Sequence, residues 1–208
     1  MQVFKFGGMS VIDANGVKNL ASILQKGDNK NTLVIISAMG KTTNAIEIVL
    51  KNYFHNKAEL QSSIQEVKKY HNSILLELFE NENHPIFKKV RSLFEELDYF
   101  LARNKSPDYN FVYDQTMGFG ELVSTHIISE YLNEIGLKNN WFDVRNFIKT
   151  DSYYRKANVN WETTQHNIAT HVDTTILNIT QGFLGSDINN FTTTLGREGS
   201  DYTAAIFA

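Results

Sequence analysis

Four apolar side chains in succession, Leu33-Val34-Ile35-Ile36, limit the kind of fold this chain can adopt. A strand with one wet face alternates apolar and polar residues, and this run does not. It has the pattern of a strand covered on both sides, as in a parallel sheet clothed by helices. Its neighbours agree. Val3–Phe6 reads as a short strand that stops at Gly7-Gly8. A helix follows, with Val17, Leu20 and Leu24 on one face and Gly27 after its end. The apolar run breaks at Ser37-Ala38-Met39-Gly40, and another helix is expected from about Thr43 to Asn52. The first fifty residues thus alternate strand, loop and helix twice, which predicts an α/β fold.

Residues 58–104 depart from that rhythm. Leu60, Ile64, Val67, Ile74 and Leu78 recur at helical spacing, and so do Ile86, Val90, Leu93, Leu97 and Phe100. The stretch 81–85 separates them, so a helical hairpin is inserted into the α/β pattern. A further helix is expected from near Gly120 to Gly136, lined by Leu122, Ile128, Leu132 and Ile135. Trp141–Val144 is a candidate strand, Ile176–Thr180 a stronger one, and 163–171 a helix between them. With 208 residues, 42% of them hydrophobic, one domain with one sizeable core is the default.

A net charge of −3 gives no general attraction to nucleic acid or to anionic membranes. There is no cysteine, so disulfides, thiolate nucleophiles and zinc–cysteine sites are excluded. No apolar run has membrane length, and the first residues read as a strand rather than a signal segment. These features predict a soluble, cytoplasmic protein. The six histidines are scattered and are expected at the surface or its boundary, with no zinc spacing among them.

The chemistry-bearing stretch lies at the end. Thr192-Thr193-Thr194 is a β-branched run, then Gly196-Arg197-Glu198-Gly199 makes a turn, and Ser200 or Asp201 can cap a helix. A helix N-terminus receives anions, and a guanidinium in the same turn fits a carboxylate or a phosphate. The helix has barely two turns before Ala208, which suggests a piece of a longer protein. At the first strand, Lys5-Phe6-Gly7-Gly8-Met9-Ser10 would let bare backbone approach a phosphate beside a lysine; an ordinary strand-to-helix turn reads the same way. Gly40-Lys41-Thr42 is not a phosphate loop of the Walker type, because Ile35 stands where that loop needs glycine. Ser37, Gly40 and Thr43 still offer hydroxyls and backbone at a strand end, or simply a loop with a capping threonine. Gly118-Phe119-Gly120 fails as a dinucleotide fingerprint at Val123. Glu121 either complements its helix dipole or binds an ammonium group.

Six blocks, in order, resemble those of aspartokinases. They are Lys5-Phe6-Gly7-Gly8-x-Ser10, Ser37-Ala38-Met39 with Thr43-Asn44, Gly120-Glu121-Leu122-x-Ser124-Thr125, Trp141-Phe142-Asp143-Val144-Arg145, Thr180-Gln181-Gly182-Phe183-Leu184-Gly185 and Thr193–Ala205. The resemblance implies the amino-acid kinase (carbamate kinase-like) fold, a mainly parallel sheet between helices. It implies ATP-dependent phosphorylation of the L-aspartate side-chain carboxylate, the first step toward lysine, threonine, methionine and isoleucine. ATP is the implied cofactor, with Mg2+ held mainly through its phosphates, and a homo-oligomer is implied for the full-length protein. Lys5 would supply charge, and Phe6, Gly7, Gly8 and Ser10 the phosphate cradle. Arg197 would grip the α-carboxylate and Glu121 the α-ammonium. Ser37, Thr43 and Ser200 would add hydrogen bonds, with Glu198 and Gly199 in the same substrate turn. Asp201 would orient Lys5 and cap the last helix. The commoner pattern has threonine at Met9 and glycine at Glu198; the Glu198 side chain is expected to point outward. Residues 1–208 would then be the N-terminal lobe of the kinase domain, without the nucleotide lobe and the ACT regulatory domains. The alternatives are a kinase of the same fold acting on acetylglutamate, glutamate or a nucleotide, or an amino-acid-binding piece without catalysis.

Overall fold

The computed structural model describes residues 1–27 and 29–208. Four strands, β1 (Gln2–Phe6), β2 (Thr32–Ile36), β3 (Asn139–Trp141) and β4 (Leu177–Gln181), form one parallel sheet in the order β1-β2-β4-β3. All five residues of β2 are buried, as its continuous apolar run requires. Its alternate side chains serve two cores. Val34 and Ile36 join the larger one, with Val17, Leu20, Ile46, Val49, Val123 and Ile127. Leu33 and Ile35 join a second, with Phe142, Ile148, Leu184 and Phe207. Each of these four side chains contributes roughly 1.5–3 kcal/mol by leaving water.

The larger core is built by α1 (Ala14–Gln25), α2 (Thr42–His55), α3 (Leu60–Leu78), α4 (Pro85–Arg103), α5 (Tyr109–Met117) and α6 (Phe119–Glu134). Asp13 caps α1, its carboxylate accepting from the Gly16 N–H at 2.8 Å. The inserted hairpin is α3 and α4, and Pro85 opens α4 where a missing N–H costs nothing. On the other face lie α7 (Trp161–His171) and α8 (Gly199–Phe207). A two-stranded antiparallel ribbon, β5 (Leu184–Ser186) with β6 (Thr192–Thr194), completes the architecture.

Several expectations shift. The third strand ends at Trp141 rather than running to Val144. There the Asp143 carboxylate accepts from the Arg145 N–H at 3.0 Å and starts a 3-10 turn over Val144–Asn146, which turns the chain away from the sheet. The helix expected from Thr43 begins at Thr42, with Lys41 in the cap position and no side-chain cap. The Thr42 hydroxyl instead donates to the Met39 carbonyl at 2.6 Å. His71 is fully buried, not superficial. Its Nδ1 lies 2.8 Å from the Val67 carbonyl, its Nε2 3.4 Å from the Thr42 hydroxyl, and burial lowers its pKa to about 4. The beginning of α5 and the short strand β5 carry no periodicity that announces them, whereas β6 falls on the β-branched run Thr192-Thr193-Thr194. Among the described residues no helix is long and apolar enough to cross a membrane.

Candidate active site

In parallel sheets ligands gather where strands end and loops part. Here β1, β2 and β4 end side by side. The Ser37 N–H donates to the Phe6 carbonyl at 3.1 Å, and the Gly182 N–H to the Ile36 carbonyl at 3.0 Å. Gly8 is required by the next contact. A Cβ there would come within 2.6 Å of the Ala38 carbonyl oxygen and 2.8 Å of that of Gly40. The first two loops therefore touch backbone to backbone, joined by a Gly40 N–H to Gly8 carbonyl bond of 2.9 Å.

A cleft of about 920 Å³ opens above these strand ends. Lys5, Ser37, Thr43, Glu121, Arg197, Glu198, Gly199, Ser200 and Asp201 all line it, so most of the expected site residues converge. Phe6, Gly7, Gly8 and Ser10 are not part of its lining. Gly7 stays bare beside the cleft, and a side chain placed there would meet the Lys5 ammonium at 3.5 Å.

Lys5 and Asp201 form an ion pair, Nζ 3.0 and 3.1 Å from the two carboxylate oxygens. Both are partly exposed, so the pair adds little stability and its effect is orientation. Asp201 does not cap α8. The helix starts at Gly199, with Glu198 in the cap position at φ 57° and no side-chain cap, so Ser200 and Asp201 fall inside the first turn. That left-handed φ explains why glycine suits position 198. Glu198 itself is exposed at the cleft rim. Gly199 and Gly182 let α8 press on the turn after β4, where a Cβ would meet Phe183 and Ser200 respectively at 2.5–2.6 Å. The Thr203 hydroxyl locks that junction, accepting from the Phe183 N–H at 2.9 Å.

Glu121 is the buried group of the site. Its Oε1 accepts a long bond, 3.4 Å, from the Ala38 N–H, and its Oε2 has no partner. Burial raises its pKa to about 8. The rest of its sequence block is scaffold. The Ser124 hydroxyl donates to the Ser37 carbonyl at 2.9 Å, and the Thr125 hydroxyl accepts from the Gln181 amide and the Trp141 indole at 2.9 and 3.0 Å.

The opposite wall was not foreseen. It consists of Asp108, Asn110 and Tyr113 with residues 152–156 and Thr194. Its hidden support is Asp114, fully buried, which accepts from the Arg155 and Thr194 N–H groups at 2.9 Å and from the Thr194 hydroxyl at 2.8 Å. Burial raises the Asp114 pKa to about 6. A signal was present in the aromatic-basic run Tyr153-Tyr154-Arg155-Lys156, but nothing local tied it to the cleft.

A parallel α/β sheet with a cleft over its strand ends, lined by both cationic and carboxylate side chains, is the architecture of a protein that binds a small charged molecule. Residues 1–208 match the amino acid kinase family, and the chain belongs to it. Over 99% of its length it is 30% identical to the lysine-sensitive aspartokinase 3 of Escherichia coli, and over 97% it is 31% identical to the chloroplastic aspartokinase 1 of Arabidopsis thaliana. It superposes along its whole length on crystal structures of Escherichia coli aspartokinase III with a TM-score of 0.89. One of those structures holds lysine and aspartate, another aspartate and ADP. The chain spans less than half the length of these relatives: 45%, 37% and 46% respectively.

Proposed function

We propose that this chain is the aspartate-binding N-terminal lobe of an aspartokinase, which phosphorylates the side-chain carboxylate of L-aspartate from MgATP. The observation that carries the reading is the buried Oε2 of Glu121, which has no hydrogen-bond partner among the described residues, in the same cleft as the guanidinium of Arg197, which meets no carboxylate among them. An unpartnered buried carboxylate oxygen is costly, and a ligand ammonium would satisfy it. An α-amino acid presents that ammonium beside a carboxylate, which matches Glu121 and Arg197 together. An N-acetylated amino acid lacks the ammonium.

The acceptor carboxylate is ionised at neutral pH, so no general base is needed. What the step needs is placement and charge neutralisation. The Lys5 ammonium, steered by Asp201, stands where phosphoryl oxygens would approach, next to the bare backbone of Gly7. Ser37, Thr43 and Ser200 orient the acceptor. MgATP would supply the phosphoryl group, its metal held mainly through the nucleotide phosphates rather than by side chains of this chain. The support from relatives is the likeness over the whole chain to proteins named aspartokinases. Calorimetric titration of residues 1–208 with L-aspartate, L-glutamate and N-acetyl-L-glutamate tests the reading. Binding of L-aspartate in preference to the other two is expected. Preference for the acetylated ligand would overturn it.

A further inference from the structure

Arginines held for structure usually meet a carboxylate, as Arg145 meets Asp143 at 2.6 Å. Arg155 does not: among the described residues no carboxylate lies within ion-pairing distance of it. Its guanidinium lies instead over the ring of Tyr113, 4.5 Å from the centroid, and 5.7 Å from that of Tyr109. Stacking of this kind fixes the plane of the group and leaves its N–H donors free. The side chain is exposed and lines the same cleft as Arg197 and Glu121.

The backbone beneath it is held with unusual care. Arg155 has φ 72°, a left-handed conformation disfavoured for a residue that carries a Cβ. Asp114 fastens its N–H, and the Ala157 N–H donates to the Thr194 carbonyl at 3.0 Å. Asp151 closes the base of the loop through the Asn158 N–H and amide, at 3.0 and 2.6 Å. The Ser152 and Tyr154 hydroxyls donate to the buried Asp187 carboxylate at 2.9 and 3.3 Å. Residues 151–158 are thus pinned to α5, β6 and the β5–β6 turn, and they present the stacked Arg155 guanidinium to the cleft beside the flexible, exposed Lys156.

We propose that Arg155 is a specificity-determining residue, a second anion contact that favours amino acids carrying a side-chain carboxylate, and that Asp114 is its positioning residue. The inference rests on the amino-acid-binding reading of the cleft. Its chemistry is that of a second acidic group, distinct from the α-carboxylate assigned to Arg197.

The test is the ratio of L-aspartate to L-asparagine affinity, measured by titration of residues 1–208. In Arg155→Gln this ratio falls about tenfold, the loss shrinks at high salt, and asparagine binding is unchanged. Arg155→Lys restores most of the ratio. Asp114→Asn lowers it in the same direction, while the circular dichroism of the variant stays that of the parent. An unchanged ratio in Arg155→Gln, or an equal loss for both ligands, overturns the inference. Arg197→Ala separates it from the underlying reading. If that variant loses both ligands while Arg155→Gln loses neither, only the inference falls. If the unsubstituted chain binds neither amino acid, the reading falls and the inference with it.

Discussion

The two walls of the cleft are built by different means. The inner wall is backbone. Loops after β1, β2 and β4 meet through main-chain bonds, and glycines at 8, 182 and 199 are there because neighbouring atoms leave no room for Cβ. The outer wall is side chain. Asp114 reaches Thr194 across 80 residues and Arg155 across 41, and the Gln115 amide donates to the Thr192 carbonyl across 77. Backbone packing forbids substitutions at single positions. Long-range side-chain bonds instead permit a wall that can be moved or retuned while the strand ends stay as they are.

The largest expected effect strikes the ligand grip of the inner wall. Arg197→Ala should weaken L-aspartate binding by about 2–5 kcal/mol, since it removes a charge-assisted pair from the proposed site. Calorimetry of parent and variant measures it. A loss smaller than tenfold would remove Arg197 from the role of α-carboxylate anchor and shift the weight of recognition to the outer wall.

Next comes the packing claim. Gly8→Ala drives a methyl group against two carbonyl oxygens at 2.6 and 2.8 Å, neither of them on a flexible side chain. Overpacking of this sort costs about 1–3 kcal/mol. Urea denaturation should show it as a lowered midpoint with unchanged slope. Gly136→Ala is the control. There a Cβ meets nothing within 4 Å, and only the positive φ of 85° penalises it. Equal losses at the two positions would mean that backbone conformation, not the meeting of loops, governs the inner wall.

This contrast also explains what could be read from the sequence. The α/β class and the hairpin insertion follow from local patterns: an unbroken apolar run and 3.6-residue spacing. The convergence of Lys5, Ser37, Glu121 and Arg197 on one cleft rests instead on the likeness to aspartokinase sequence blocks, since Lys5, Ser37 and Glu121 taken singly also read as an ordinary turn, a capped loop and a helix-dipole carboxylate. Residues whose partners are distant leave no such pattern. Asp114 looks like any polar residue of a helix until β6 is laid beside it. The same limit applies to the end of β3, where Trp141–Val144 reads as strand-forming. The Asp143 carboxylate, by turning back on the Arg145 N–H, ends it early. His71 was misplaced because a lone histidine in a helical pattern says nothing of the helix packed over it.

The buried carboxylate gives a pH test of the inner wall. Glu121 has its pKa raised by burial from 4.5 to about 8, so the unliganded fold holds it neutral at pH 7. The sign follows from linkage. The folded state binds the proton more tightly than the unfolded state, so stability from this group falls as pH rises between about 4.5 and 8. Ligand binding runs the other way, because an ammonium favours the ionised form. L-Aspartate affinity should rise about tenfold, roughly 1.4 kcal/mol, for each pH unit gained below 8 and then level off. Titrations at pH 7 in buffers of different ionisation enthalpy should show release of close to one proton. Proton uptake, or none, would mean that Glu121 does not meet the ammonium.

The smallest effect belongs to the rim between the walls. Glu198 holds φ 57° just before α8, and its side chain caps nothing. A left-handed position without a compensating bond is one that glycine fills more cheaply. Gly196, two residues earlier, has φ 80°, and a Cβ placed there would lie 3.3 Å from the Arg155 carbonyl oxygen, so in this turn the inner wall comes close to the base of the outer one. Glu198→Gly relieves strain but also frees the unfolded chain, and the two oppose each other. A net gain of about 0.5–1 kcal/mol is expected, read as a raised urea midpoint, with L-aspartate affinity held or slightly increased as a carboxylate leaves the neighbourhood of Arg197. A loss of stability would show that Glu198 makes a compensating interaction at the rim. A loss of affinity would show that the rim carboxylate takes part in holding Arg197 for the ligand, and that the two walls act as one.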